Sequence, residues 1–226
     1  MTGPTQRQRL RDKRDPEARS FIQVSGLIIA CTIFICSCIV LSGECTVQDL
    51  PELFFDVATL KRQPITAQDN VAAAVALCIC LPILQIVDLL VCQPLMGHSA
   101  GARWFLLHAL GNTAVSVFAF PDFIHLFNDA PNALSVDYCR RCPGFLGVDA
   151  CSDWPSSLII AMHLYHVLGF QLNAADTFHH VVFVPIIGGM HFAVPWGASG
   201  NILAFFISGF PGPTIFSFAQ QYFMPN

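Results

Sequence analysis

Charge is what this sequence has least of. Asp, Glu, Lys and Arg together make up 12% of its 226 residues, where a soluble domain carries about 25%. With 54% hydrophobic residues and a mean hydropathy of +0.57, this shortage argues against a soluble globular domain. A polytopic membrane protein is the expectation. No broad basic face is available for nucleic acid, and no acidic tail forms a solvated arm. The chain also lacks an Asn-x-Ser/Thr sequon, an internal repeat and a low-complexity tract.

Apolar runs are what it has in their place. About twenty apolar residues cross the hydrocarbon core of a bilayer. Phe21–Leu41 is a clean first span, and Val71–Cys92 a second, with Pro82 expected to bend it and Asp88 polar near its end. Arg103–Phe127 is a third and polar one, carrying His108, Asn112, Pro121, Asp122 and His125, so it should face protein. Pro155–Leu172 and Thr177–Val194 follow, and Asn201–Phe223 would be a sixth, interrupted by Gly209, Pro211, Gly212 and Pro213. The expected fold is therefore all-α: a polytopic transmembrane helical bundle of about six spans. Its parts would be a cytoplasmic basic tail (1–20), a first transmembrane helix (21–41), a loop (42–70) and a main transmembrane domain (71–226).

The basic residues orient this bundle. Arg7, Arg9, Arg11, Lys13, Arg14 and Arg19 precede the first span, which places the N-terminus in the cytoplasm by the positive-inside rule. The run after them is too long for a signal-peptide core, and Leu41-Ser42-Gly43-Glu44 is a poor cleavage site, so the helix should be retained. The loops 42–70 and 128–154 then face the exoplasmic side. Of the ten cysteines, Cys31, Cys36, Cys38, Cys78, Cys80 and Cys92 fall in or beside apolar runs, where free cysteine acts as a small hydrophobe. The other four, Cys45, Cys139, Cys142 and Cys151, fall in the two exoplasmic loops. A disulfide among them is plausible on that oxidising side, with three pairings open. Cys139-x-x-Cys142 with Cys151 also fits an incomplete zinc site, lacking a fourth ligand at familiar spacing.

Five histidines and an aspartate stand between Met162 and Phe192, inside the fourth and fifth spans. An ionisable group at a bilayer centre costs roughly 2.5–3.5 kcal/mol on insertion scales, so several of these six should be used. His163 and His166 are three apart and share a helix face. Asp176 reaches His179 or His180 at the same spacing, and the four-residue link makes the two spans antiparallel neighbours. At about 1.5 Å per residue, His166 lies roughly 9 Å and His180 roughly 4–5 Å below the cytoplasmic end of its span. His163, His166, Asp176, His179 and His180 can therefore converge, while His191 lies about 16 Å further along. A histidine beside a carboxylate is a general base, and neutral imidazole is equally a metal ligand. Histidines that merely hydrogen-bond a neighbouring helix are the plainer alternative. Asp122 and His125, three apart near the exoplasmic end of span three, can pair with each other or line a cavity. His98 reads as an interfacial loop residue.

The pattern His163-x-Tyr165-His166, a short polar link, Asp176-x-x-His179-His180 and then an apolar run resembles the TLC-domain family. That family includes ceramide synthases, translocation-associated membrane proteins and lipid-regulating proteins of the endoplasmic reticulum. Asn201 and the stretch Phe205-Phe206-Ile207-Ser208-Gly209-Phe210-Pro211-Gly212 resemble the Gly-Leu-Pro-Gly-type segment of TLC-like proteins, and the similarity covers roughly residues 70–212. It implies a helical membrane domain with a lipid-facing cavity, multi-pass, in the endoplasmic reticulum or another endomembrane. In the ceramide-synthase branch, paired histidines transfer an acyl chain from its CoA thioester to a sphingoid amine. The corresponding residues here are His179 and His180, with Asp176 beside them as the third catalytic candidate. The chain departs from that branch in two ways. Val181–Met190 contains no acid, which weighs toward lipid handling without catalysis. After Gly212 the chain ends at Asn226, where family domains continue, so a truncated gene model, a splice form or a shortened bundle is expected.

The leading expectation is thus a membrane protein that binds, senses or modifies lipid in an intramembrane cavity lined by His163, His166, Asp122 and His125. Its enzymatic form is an N- or O-acyltransferase using acyl-CoA as co-substrate, with no metal and no other cofactor. Membrane lipid is the expected partner. A metal-dependent lipid hydroxylase or desaturase is the alternative, though such enzymes gather eight or more ligating histidines and this chain has eight in all. A transporter relaying protons through Asp88, Asp122 and the histidines is a third class, weakened by the missing inverted repeat.

Overall fold

Backbone N–H and C=O groups inside a bilayer have no water to bond, so a spanning segment satisfies them internally, as a helix does. The computed structural model describes residues 18–62, 69–97, 99–133, 148–193 and 198–206. Among the described residues the fold is all-helical, with no strand. The helices are α1 (Phe21–Leu41), α2 (Leu50–Ala58), α3 (Asn70–Met96), α4 (Ala100–Asn128), α5 (Ala130–Ala133), α6 (Trp154–Gly169), α7 (Ala174–Ala193) and α8 (Ala198–Ala204).

Three of these, α1, α3 and α4, are long and apolar enough to cross a membrane. Their outward faces carry exposed Ile22, Phe34, Leu90 and Phe127, a surface suited to lipid rather than water. The chain is on this ground a membrane protein. The segments expected as the fourth and fifth spans are helical, as α6 of 16 residues and α7 of 20, and neither is among those three. The expected sixth, Asn201–Phe223, is described only to Phe206. The basic tail up to residue 17, His98, Cys139 and Cys142 also lie outside the described residues.

Two local features differ from the sequence reading. The loop 42–70 contains α2, which turns Leu53 and Val57 inward against the bundle. The link between α6 and α7 falls earlier than expected, at Phe170–Asn173, because Asn173 caps α7: its Oδ1 accepts the Asp176 N–H at 2.9 Å. Asn is among the best N-caps, and Asp176 consequently sits in the first helical turn. The helix α3 stays α-helical through Pro82. Its departure comes later, as a π-turn over Asp88–Cys92, where the Gln93 N–H reaches back five residues to the Asp88 carbonyl. Pro94 follows with no N–H to give.

The core forms around α6, which packs on α3, α4 and α7. Small residues make the close approach possible: Ala72, Ala73 and Ala76 of α3 are fully buried, and the Ser157 hydroxyl donates to the Ala73 carbonyl at 3.3 Å. Gly111 of α4 serves the same end against Met162, whose Sδ would lie 1.9 Å from any Cβ added there. The end of α6 is closed by the chain that leads into α1. Arg19 donates its backbone N–H to Gly169 at 2.9 Å, and its guanidinium to the carbonyls of Val167 and Leu168 at 2.7 Å each. These are carbonyls that a helix terminus leaves without partners. The start of α1, the end of α6 and the start of α7 thus share one side of the bundle.

Candidate functional site

At that end, α6 and α7 carry their histidines toward each other. His163 and His166 project from one face of α6, and His179 and His180 from the second turn of α7. His166 Nδ1 lies 2.7 Å from His180 Nε2, and His179 Nε2 lies 3.3 Å from His163 Nε2. The structure therefore brings four of the five expected cluster residues into direct contact. Burial grades across the group: His166 and His180 are buried, His163 half-buried and His179 exposed. Beside His179, Phe178 and Val181 are exposed as well, so the open side of the cluster is apolar.

The helix α4 forms the back wall. Trp104 stacks on His166 with ring centroids 3.6 Å apart and planes 7° from parallel. His108 lies one turn on from Trp104, its Nδ1 accepting from Asn112 Nδ2 at 3.1 Å. Neither Trp104 nor Asn112 was among the sequence candidates. Their signal was the one-turn spacing 104, 108, 112 of polar-capable residues in an apolar span.

Asp176 is partly buried, and among the described residues no hydrogen bond joins its carboxylate to a histidine. Its place in the first turn of α7 lets it influence His180 only through space. His191 lies about 16 Å further along α7 than His180. Nor are Asp122 and His125 brought to the cluster. Asp122 sits about 21 Å along α4 from His108, fully buried. Its carboxylate accepts the Cys151 N–H at 3.0 Å and Asn201 Nδ2 at 2.8 Å, while Asn201 also donates to the Ser152 carbonyl at 2.8 Å. This is a clamp joining α4, the segment before α6, and α8. His125 is in the last turn of α4, near enough to act on Asp122 electrostatically.

Of the four loop cysteines, Cys151 is disulfide-bonded and Cys45 is free. The two sit apart because Cys45 packs with the first helices while Cys151 lies beside α8.

A second polar group escaped the sequence reading. Arg103 of α4 meets Asp88 of α3 through two hydrogen bonds, Nε to Oδ1 at 3.0 Å and a terminal nitrogen to Oδ2 at 2.5 Å. The Tyr165 hydroxyl donates to the same carboxylate at 3.0 Å. All three lie at the mouth of a recess of about 490 Å³, bordered also by Arg19, Ser20 and Gln85. Asp88, a relay candidate in the transporter alternative, is held here by a fixed cation. An apolar cavity of about 450 Å³ is bordered by α3, α4 and the start of α6, with Leu107, Gly111, Ala114, Phe118, Trp154 and Leu158 in its lining.

No family model matches the chain, and neither a curated protein nor a solved structure does.

Proposed function

We propose that this chain is a multi-pass membrane protein of the TLC type, with about six spans, resident in the endoplasmic reticulum or another endomembrane. It handles lipid at the cluster of His163, His166, His179 and His180. In its enzymatic form it transfers an acyl group from acyl-CoA to an amine or hydroxyl of a membrane lipid. The observation that carries this reading is the graded contact of the four imidazoles. His179 is exposed on an apolar face, where a lipid headgroup can reach it; His163 stands half-buried behind it, and His166 and His180 are buried.

The chemistry follows from the hydrogen bonds. A carbonyl only accepts, so the contact between His163 Nδ1 and the Ile159 carbonyl at 2.9 Å puts the proton on Nδ1 and a lone pair on Nε2. That lone pair faces His179 Nε2, which leaves His179 Nδ1 as the base toward an incoming nucleophile. The apolar cavity of about 450 Å³ has the lining and size for part of an acyl chain. Asp176, one turn before the pair, supplies negative charge near His180 without touching it.

The test is lipid analysis of cells carrying the intact chain, His179→Ala or His180→Ala at equal expression. Loss of an acylated lipid class in both variants is expected. Unchanged lipid profiles in both would rule the reading out.

A further inference from the structure

We infer that His163, His179 and His180 form a divalent-metal site of the three-histidine, zinc-binding class, with His166 as the partner that orients His180. Each of the three offers a ring nitrogen, and these nitrogens lie within 4.8 Å of one another. Zinc bonds imidazole nitrogen at about 2.0–2.1 Å in tetrahedral geometry, which sets two ligating nitrogens about 3.3–3.4 Å apart. His163 Nε2 and His179 Nε2 already stand at 3.3 Å; a bound metal would take the place of the proton between them, and His179 would then carry its proton on Nδ1.

A second, independent observation points to a ligand. His180 is buried, 5% exposed, and its Nδ1 has no hydrogen-bond partner among the described residues. Its other nitrogen is taken, at 2.7 Å, by His166. If Nε2 carries the proton and donates to His166, Nδ1 is a bare lone pair sealed from water, which is the state a metal ligand needs. His163 shows the same arrangement: its Nδ1–H is given to the Ile159 carbonyl and its Nε2 turns inward to the cluster. Metal-binding histidines characteristically hold their second N–H in this way. A site with three imidazoles and no thiolate or carboxylate has the donor set of an open zinc site, whose fourth position stays available. Here that position would face the exposed side at His179.

This inference rests on the preceding reading for its substrate alone. A cation there would polarise a lipid carbonyl or hydroxyl oxygen, and the imidazoles would serve the reaction as its ligands. The site itself needs no lipid.

Full-length protein in detergent micelles, stripped with chelator, would be titrated with Zn²⁺ and separately with Co²⁺. One zinc per chain is expected, along with the visible absorption of tetrahedral cobalt. His163→Ala and His179→Gln should abolish stoichiometric binding; His179 is exposed, so its variant keeps the fold intact. His166→Ala, which removes the orienting partner and leaves all three ligands, should weaken binding about 10- to 100-fold. His98→Ala should bind as the native chain does. Absence of stoichiometric zinc, or equal uptake by His163→Ala and His179→Gln, overturns the inference. Zinc binding with an unchanged lipid profile in His179→Ala would sink the lipid assignment and leave the metal site standing. Lost lipid product without zinc binding would do the reverse.

Discussion

The imidazole of His166 lies flat on the indole of Trp104, 3.6 Å between centroids, while its Nδ1 meets His180 across the helix interface. One side chain of α6 is thereby pinned from α4 on one face and from α7 at its edge. Phe170 adds a third contact, 5.6 Å from the His166 ring.

Removing the indole should release His166 from its rotamer. A stacked aromatic pair contributes about 0.5–1.5 kcal/mol beyond its buried area. Trp104→Ala is expected to lower the melting temperature in micelles and to weaken zinc binding, and Trp104→Phe to retain most of both. Native melting and binding in Trp104→Ala would show that α6 and α7 hold the cluster without α4.

The Asp88–Arg103 pair predicts an asymmetry between breaking and replacing. Both side chains are nearly buried, and losing one partner strands the other charge at about 3–5 kcal/mol. Asp88→Asn should therefore destabilise strongly, whereas Asp88→Leu combined with Arg103→Met should recover most of the loss. Tyr165→Phe removes one bond to a carboxylate that keeps its cation, so about 1.5–3 kcal/mol is the upper range. Thermal unfolding of the set in one detergent decides it. A double variant as weak as Asp88→Asn would contradict the pairing.

Asp122 should behave as a structural clamp. Its carboxylate accepts the Cys151 N–H, shared between both oxygens, and an Asn201 N–H, and a bond from each donor to a charged group contributes about 1.5–3 kcal/mol. Asp122→Ala is expected to speed amide hydrogen exchange across 151–154 and at Asn201, leaving exchange near His179 as it was. Equal loosening at both ends would mean the clamp and the cluster are one cooperative unit.

One carboxylate outside the membrane gives a pH signature. The Thr46 hydroxyl and backbone N–H donate to Asp49 at 2.7 and 2.8 Å, and these bonds lower its pKa below the ordinary 3.8. The charged form is the one that accepts them, so the turn before α2 is stabilised at and above that ordinary value and loses the bonds as pH falls through the lower, folded one. Chemical shifts of the Thr46 amide should titrate below 3.8. Titration at or above that value would show the bonds to be absent.

Much of this site was legible in order and spacing. Helical periodicity put His163 and His166 on one face, and the short link made α6 and α7 antiparallel, because both follow from local geometry. Low charge and long apolar runs were enough to indicate helices and a membrane. Asp176, however, is a cluster member by spacing, while among the described residues its carboxylate is not bonded to a histidine. The Asn173 cap moved it into the helix, a difference of a few residues that sequence patterns resolve poorly.

Contacts between distant segments required the folded chain. In the sequence Arg103 marks only the start of a span, yet its guanidinium reaches Asp88 on another helix. Spacing lets Asp122 pair with His125 or line a cavity, and in the fold it bonds Cys151 and Asn201, 29 and 79 residues away. The bare Nδ1 of His180 is likewise visible only once His166 has taken Nε2. Periodicity records which way a side chain leaves its own helix. Which partner meets it depends on how helices cross, and crossing is set by the packing of small residues such as Ala72, Ala76 and Gly111 along whole interfaces.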